Sequence, residues 1–285
     1  MKLAIISDVH ANLEALSATL QTISRQSVDR IVVLGDIVGY NANPGECIAL
    51  LRESNATIIA GNHDRAVAGV ISTEGFSAAA ALAVEWTRKH LSADHLAYLA
   101  ALPLETSVNG HLVGVHGGLL PHGGCELTRL SSPERRKPSF ESLMAHPSGA
   151  RVCGFGNTHR LGIYEFRAGR ERALDGDEAT LREDCYYLIN PGSVGQPRQS
   201  DRRATYFTFD TGHRRLSVHR VPYDFAAPVA KSCAAGLLPF YARYPRSIRE
   251  PIRWTANALG LGGLARQVAR ARQQKRQGAA PRLDT

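Results

Sequence analysis

The sequence predicts an α/β fold built on a mostly parallel sheet, because short apolar runs alternate with helical patterns along its first third. Runs rich in isoleucine and valine occupy residues 3–7, 30–34 and 56–60, which have the length and composition of buried strands. Between these runs, apolar residues recur at helical spacing in residues 13–23, and residues 46–52 continue the alternation. Strand–helix–strand repetition of this kind indicates βαβ units.

The second part of the chain adds a helical stretch and a series of further strands. Residues 77–102 have a helical pattern. Strand-like runs then cover residues 104–108, 111–115, 152–155, 163–166, 186–189, 204–209 and 215–220. Asn109-Gly110 separates the first two of these runs and Thr211-Gly212 separates the last two, so both pairs are predicted to form β-hairpins.

Around Pro222 the regular pattern of strands and helices fades. This predicts one large domain over residues 1–224 and a basic, helical extension over residues 225–285. The net charge is +8, and the residues from Tyr241 onward contain ten basic and two acidic side chains, so the rest of the chain is balanced. Such a tail could hold a polyanion, nucleic acid included. No known nucleic-acid-binding module accompanies it, and a solvated charged face is the favoured interpretation.

The composition is that of a globular protein rather than a membrane protein. No apolar run approaches the roughly 18–20 residues that span a bilayer. The chain reaches Asp8 after only a few apolar residues, which predicts a first buried strand rather than a signal peptide. Five cysteines are widely spaced without a C-x-x-C pair, which favours a reducing cytoplasm and argues against a cysteine zinc site. The oligomeric state is left open by the sequence.

Side chains that can bind metal ions follow five of the predicted strands. They are Asp8 and His10, Asp36, the run Asn62-His63-Asp64, His116, and the pair Asn157 and His159. Because ligands collect at the carboxyl ends of strands in open α/β sheets, these clusters are expected to converge although they are far apart in sequence.

The residue types at these strand ends suit a pair of divalent metal ions. Carboxylates and neutral imidazoles bind such ions, and a carboxylate such as Asp36 can bridge two of them. Two ions a few ångströms apart lower the pKa of a water and hold the attacking and leaving oxygens of a phosphoryl group. His63 is expected to protonate the leaving oxygen, and Asp64 is expected to orient the imidazole of His63.

Taken together, the five clusters resemble the calcineurin-like metallophosphoesterase superfamily. The segments 35–40 and 190–198 extend the resemblance toward its small bacterial and archaeal phosphodiesterase-like and diadenosine-tetraphosphatase-like branch, over roughly residues 1–224. The resemblance implies a four-layer αββα sandwich, with two mixed sheets between layers of helices, and hydrolysis by a hydroxide that bridges two metals. It also implies one metal held by Asp8, His10, Asp36 and His159, and a second held by Asp36, Asn62, His116 and the residue at position 157.

Position 157 departs from the family pattern, which has histidine there. An amide oxygen ligates hard ions but is a poor donor to softer ones, and Asn62 already supplies one amide to the same metal. We expect a weak second site that favours manganese or magnesium, with manganese ahead of iron, zinc, magnesium and nickel for the enzyme as a whole. Two alternatives stay open, namely that Asn157 ligates adequately and that catalysis is impaired.

Substrate contacts are assigned to residues in or beside the motif loops. Tyr40 could stack on a nucleobase, and Arg65, Arg160 and Arg198 could neutralise phosphate oxygens, unless each arginine pairs with a surface acid. The favoured activity is hydrolysis of phosphodiesters or phosphoanhydrides, with dinucleoside polyphosphates as the natural substrate by family analogy. The alternatives are a phosphomonoesterase, including a protein phosphatase, and a metal- or nucleotide-binding module that has lost its chemistry through Asn157.

Overall fold

The computed structural model of the chain describes residues 1–237. Its strands are β1 (Lys2–Ile6), β2 (Arg30–Val33), β3 (Thr57–Ile58), β4 (Glu105–Val108), β5 (Leu112–Val115), β6 (Gly118–Leu120), β7 (Gly123–Cys125), β8 (Val152–Gly154), β9 (Leu161–Arg167), β10 (Arg170–Leu174), β11 (Glu178–Thr180), β12 (Tyr186–Pro191), β13 (Ala204–Asp210) and β14 (Arg215–Val221). Its helices are α1 (Leu13–Ser24), α2 (Pro44–Glu53), α3 (Asn62–Val67), α4 (Ala78–His90), α5 (Ala93–Ala101), α6 (Pro133–Met144) and α7 (Ala226–Ala234).

Two mixed six-stranded sheets form the centre of the fold. Sheet A has the order β11-β14-β13-β1-β2-β3, and sheet B has the order β10-β9-β12-β8-β5-β4. In each sheet three strands run parallel, β1-β2-β3 in one and β5-β8-β12 in the other, and the remaining strands pair antiparallel. The expectation of one mostly parallel sheet was therefore wrong, because it extended the βαβ pattern of the first residues to the hairpins that follow.

Three apolar clusters show that the fold has four layers. Alternate side chains of β1 point to opposite faces, so that Ala4 and Ile6 pack with helices α1 to α5, whereas Leu3 and Ile5 pack with residues of sheet B. On the far side of sheet B, Val113 and other residues of that sheet pack against α6. Each cluster fills one interface between neighbouring layers, which confirms the predicted αββα sandwich.

Both predicted hairpins are present. Asn109 and Gly110 have positive φ values of 48° and 69° in the short loop between β4 and β5, where the register pairs Val108 with Leu112 across three residues. The turn at residues 211–214 joins the antiparallel strands β13 and β14. The helical stretch 77–102 is divided into α4 and α5, because Ser92 accepts a hydrogen bond from the backbone N–H of His95 and so begins a new helix.

The predicted extension begins with α7, which packs on α1. Lys231 in α7 forms an ion pair with Glu14 at 2.6 Å and donates a hydrogen bond to Asn43 at 3.1 Å. The predictions made for the basic tail beyond residue 240 fall outside the described residues. Within residues 1–237, none of the helices combines the length and the apolar composition needed to cross a bilayer.

Candidate metal centre

The five predicted clusters meet at one edge of the molecule, at the carboxyl ends of the parallel strands of both sheets. Asp8, Asp36 and Asn62 follow β1, β2 and β3 of sheet A, whereas His116 and His159 follow β5 and β8 of sheet B. The loops are joined by backbone hydrogen bonds, among them one from the N–H of Asp8 to the carbonyl of Gly35. The convergence predicted from strand order is therefore confirmed.

Four of the predicted ligands form a compact buried group. One potential ligand atom from each of Asp8, His10, Asp36 and His159 lies within 4.8 Å of the others. Nε2 of His159 is 3.3 Å from Oδ1 of Asp8, and Nε2 of His10 is 3.5 Å from Oδ2 of Asp36. These are the residues that the family resemblance assigned to one metal.

The histidines present their Nε2 atoms to the centre because Nδ1 is occupied elsewhere. Nδ1 of His10 lies 3.1 Å from the carbonyl of Val38, Nδ1 of His159 lies 2.8 Å from that of Gln196, and Nδ1 of His116 lies 2.7 Å from that of Leu34. A carbonyl only accepts, so Nδ1 carries a proton in each of the three rings, and Nε2 is the atom that each ring can offer to a metal ion once the ring is neutral. Such a backbone contact is the usual support of a metal-binding imidazole.

The same group contains polar atoms that lack hydrogen-bond partners. Neither carboxylate oxygen of the fully buried Asp8 accepts a hydrogen bond from the described residues. The Nε2 atoms of His10 and His159 lie 3.2 Å apart with both lone pairs toward the same space, and burial holds the pKa of each ring well below its usual range. A buried carboxylate and two facing lone pairs are stabilised by a cation between them, so the group fits a divalent metal ion.

Asp36 connects this group to a second one. Its Oδ2 is 3.3 Å from Nε2 of His116, which in turn is 3.1 Å from Oδ1 of Asn62. Burial opposes charge on both partners, but His116 nevertheless holds the pKa of Asp36 well below its usual range, and Asp36 raises the pKa of His116 to about 10. Asp36 therefore stays ionised and faces both groups, as the predicted bridging role requires.

Asn157 reaches the second group through its amide nitrogen. Nδ2 donates to Oδ1 of Asn62 at 3.2 Å and to the backbone carbonyl of Glu126 at 3.0 Å. The residue thus lies where the sequence predicts a ligand, but it directs a donor rather than a lone pair toward its neighbours. Glu126 was missed in the sequence because it lies outside every motif.

His63 lies beside the ligands at the beginning of α3. Its backbone N–H donates to Oδ1 of Asp36 at 2.8 Å, and its ring lies between Tyr40 and Phe76, with centroid distances of 4.6 and 5.1 Å. Burial lowers the pKa of His63 to about 4. Gly39 has a φ of 89° and packs against the ring, which occupies the space that a side chain at position 39 would need.

The predicted contact between Asp64 and His63 is not made. Asp64 instead accepts hydrogen bonds from the backbone N–H groups of Val38 at 3.1 Å and Gly61 at 2.9 Å, while Nδ1 of His63 has no partner among the described residues. The expectation that Asp64 orients the imidazole was wrong, because both carboxylate oxygens are used to join two loops. Asp64 is therefore a structural residue of the site.

The four predicted substrate contacts differ in their surroundings. Arg198 is half-buried. The pKa of His159 is lowered mainly by the burial of that histidine and next by the positive charge of Arg198. Tyr40 places its ring edge-on to His10 with centroids 4.7 Å apart. Arg65 forms an ion pair with Glu126 at 2.9 Å, and the side chain of Arg160 is exposed. Arg198 and Tyr40 are thus the two that border the metal-binding groups directly.

The backbone of the site is strained at four of the candidate ligands and at Asn157. Positive φ values are found at Asp8 (55°), His10 (49°), Asp36 (54°), Asn157 (61°) and His159 (56°). This left-handed conformation is unfavourable for residues other than glycine and is concentrated at functional sites. The surrounding hydrogen bonds must hold it in place.

Segment 190–198 supplies much of this support. Ser193 donates from Oγ to the carbonyl of Asp8 at 2.8 Å, and Nδ2 of Asn190 donates to the carbonyl of Gly156 at 2.8 Å. Both residues are fully buried. The sequence identified this segment only as a matching motif, and the structure shows that it fastens the loops that carry Asp8 and His159.

The first helix of the extension also contacts a loop of the site. Oγ of Ser232 in α7 donates to Oδ1 of Asn41 at 3.3 Å, and Nδ2 of Asn41 donates to the carbonyl of His10 at 2.8 Å. Two buried hydrogen bonds therefore connect α7 to the backbone of a predicted ligand.

Comparisons with known proteins agree with this arrangement. The family model of the calcineurin-like phosphoesterase superfamily domain matches residues 1–214. An uncharacterized protein of Methanocaldococcus jannaschii is 36% identical over 224 residues, which cover 78% of this chain and 88% of that protein. The crystal structure of a metallophosphoesterase from Sphaerobacter thermophilus has a TM-score of 0.66 at 33% identity and covers 92% of this chain and 99% of that chain. A hypothetical protein of Pyrococcus horikoshii has the same fold, with a TM-score of 0.65 at 18% identity over 88% of this chain and 97% of that chain.

Proposed function

The chain belongs to the calcineurin-like phosphoesterase superfamily and is a metallophosphoesterase, and we propose that it hydrolyses phosphodiester or phosphoanhydride bonds with two divalent metal ions. The observation that carries this proposal is the buried group of Asp8, His10, Asp36 and His159, whose ligand atoms lie within 4.8 Å of one another. Asp8 in particular has two buried oxygens without hydrogen-bond donors among the described residues.

Two divalent ions, when bound, would activate a water and draw negative charge away from the phosphoryl oxygens. Asp36 is ionised and lies between the two groups, so it is the residue suited to both ions. The second group offers a carboxylate oxygen from Asp36, the Asn62 amide oxygen and one imidazole, which favours a hard ion such as manganese or magnesium over zinc at that site.

The remaining side chains provide substrate binding and proton transfer. Arg198 supplies a positive charge at the edge of the site and would pair with a non-reacting phosphate oxygen. His63 would carry a proton to the leaving oxygen, since a bound phosphate raises the pKa of a neighbouring imidazole. Tyr40, half-buried beside His63, offers an aromatic face to a leaving group that contains a ring.

We propose dinucleoside polyphosphates as the first natural substrates to test, because they combine an anhydride, several negative charges and a base that can stack. Polynucleotides are a less favoured choice. We propose the cytoplasm as the compartment, which the five free cysteines support.

The test uses the purified full chain, stripped of metal and supplied with Mn²⁺. Its substrates are bis(p-nitrophenyl) phosphate, p-nitrophenyl phosphate and diadenosine tetraphosphate. We expect the diester and the anhydride to be cleaved, and we expect Asp36→Asn and His63→Gln to reduce kcat at least about 100-fold. His213→Gln, at an exposed histidine paired with Asp210, is the control and should retain activity. Cleavage of the monoester alone would favour a phosphomonoesterase, and no turnover with any metal would favour a binding module.

A further inference from the structure

We propose that Asn157 is not a metal ligand but a hydrogen-bond donor that fixes the orientation of the Asn62 amide. The inference rests on the proposed second metal and concerns how this chain holds it. Nδ2 of Asn157 lies 3.2 Å from Oδ1 of Asn62 and 3.0 Å from the carbonyl of Glu126, so its two hydrogens match two acceptors. Asn157 is a positioning residue in this arrangement.

The nitrogen rather than the oxygen of Asn157 must face these neighbours. The Glu126 carbonyl belongs to the backbone and can only accept, so it fixes the identity of the atom beside it. If the Asn157 amide were turned over, its oxygen would lie against two other oxygens, and neither contact would be a hydrogen bond. The orientation of the Asn157 amide is therefore fixed by the Glu126 backbone carbonyl, which can only accept a hydrogen bond.

The Glu126 carbonyl is itself held in place. Arg65 forms an ion pair with the Glu126 side chain at 2.9 Å, and the carboxylate is only 7% exposed. The segment that contains Glu126 packs against Gly117, where an added methyl group would lie 2.9 Å from the Glu126 carbonyl. The ion pair with Arg65 and the packing against Gly117 thus hold Glu126 in place, and Glu126 in turn holds the Asn157 amide.

The network determines how Asn62 faces the second metal. A carbonyl oxygen has two lone pairs, so Oδ1 of Asn62 can accept from Asn157 and still offer one lone pair to an ion. Holding the oxygen in this way keeps the Asn62 nitrogen away from the metal. Three protein residues, Asp36, Asn62 and His116, would then hold a second metal, and more of its positions would be open to water or phosphate.

Mn²⁺ titrations of the full chain, followed by calorimetry, separate positioning from direct ligation. We expect Asn157→Ala to weaken the second site about 10-fold, within the range measured for residues that support metal ligands. We expect Asn62→Ala to weaken it further, and the double variant Asn62→Ala/Asn157→Ala to match Asn62→Ala within about twofold, since Asn157 acts through Asn62. A further loss of about 10-fold or more in the double variant would show independent ligation and overturn the proposal. Asn43→Ala is the matched control and should leave the affinity of both sites unchanged.

Two measurements on the metal-free protein test the hydrogen bonds of Asn157 without relying on metal binding. Asn157→Ala should lower the thermal unfolding midpoint by about 2–4 °C, because the network exists without the ion. In the wild-type chain, NMR should show slow hydrogen exchange for the Asn157 side-chain amide. An unchanged or higher midpoint, or exchange at the solvent rate, would overturn the assignment. Failure of the chain to bind any metal would instead contradict the proposed function.

Discussion

Gly39 lies against the imidazole of His63, and a methyl group on its α-carbon would come within 2.5 Å of Nδ1. We therefore expect Gly39→Ala to displace His63 and to lower kcat about 10- to 100-fold, while the affinity for metal changes little. Steady-state kinetics and metal titration would measure the two effects. Gly169→Ala is the matched control, since Gly169 has a similar φ of 78° but no atom within 4 Å of the added methyl. An equal loss of activity in both variants would contradict the steric explanation.

Asp8 is predicted to reduce the stability of the metal-free protein. Burial raises its pKa to about 7, and its oxygens have no donor among the described residues. Asp8→Asn removes the buried charge, so the free energy of unfolding in EDTA should increase by about 1–3 kcal/mol. With Mn²⁺ the order should reverse, because the variant loses a ligand. Urea denaturation in both conditions tests this, and a variant that is less stable in EDTA would count against the role given to Asp8.

Arg198 and Arg160 are predicted to differ in their effect on catalysis. Arg198→Ala should lower kcat/KM about 10- to 100-fold, because it removes the positive charge at the edge of the metal-binding groups. Arg160→Ala should change kcat/KM less than about threefold, since the Arg160 side chain is exposed. Kinetics with the same diester substrate provide the comparison. Similar losses in both variants would mean that the substrate extends across both arginines.

Tyr206 is predicted to make the protein sensitive to alkali. Burial raises the pKa of its phenol to about 12 from an ordinary value of 10. The folded chain keeps this proton where the unfolded chain has lost it, so the stability it contributes is intact below pH 10 and is lost as the pH rises to about 12. The loss should reach at most about 3 kcal/mol. Chemical denaturation between pH 9 and 12 should show a smaller loss for Tyr206→Phe than for Tyr186→Phe, and equal losses would contradict this assignment.

Several of the strands that sequence reasoning predicted have both faces covered by other layers. Strands β1, β2 and β5 have apolar residues on both faces because each lies between two layers, so a short apolar run identifies them. Helix α6 was missed because its buried face includes Arg136 and Ser139 beside Phe140 and Leu143. Arg136 is neutralised by Glu171, 35 residues away, and no local pattern reports such a pairing.

The convergence of the candidate ligands was predictable because each follows a strand, whereas the contacts of neighbouring residues were not. Asp64 follows His63 directly in the sequence, yet its carboxylate binds the N–H groups of two loops. The polarity of the Asn157 amide depends on the Glu126 carbonyl, 31 residues away. Hydrogen-bond partners of this kind depend on how the loops pack, and the spacing of motifs along the sequence does not contain that information.

The two histidines of the compact buried group come from different sheets and are 149 residues apart in the chain. Closing a chain loop of that length is entropically costly in the unfolded ensemble, and an ion held by both residues closes it only when the two sheets have already packed together. A bound ion would therefore act as a cross-link between the halves of the sandwich. Its uptake should be one of the last events of folding, and its removal should loosen the contact between the sheets before either sheet itself unfolds.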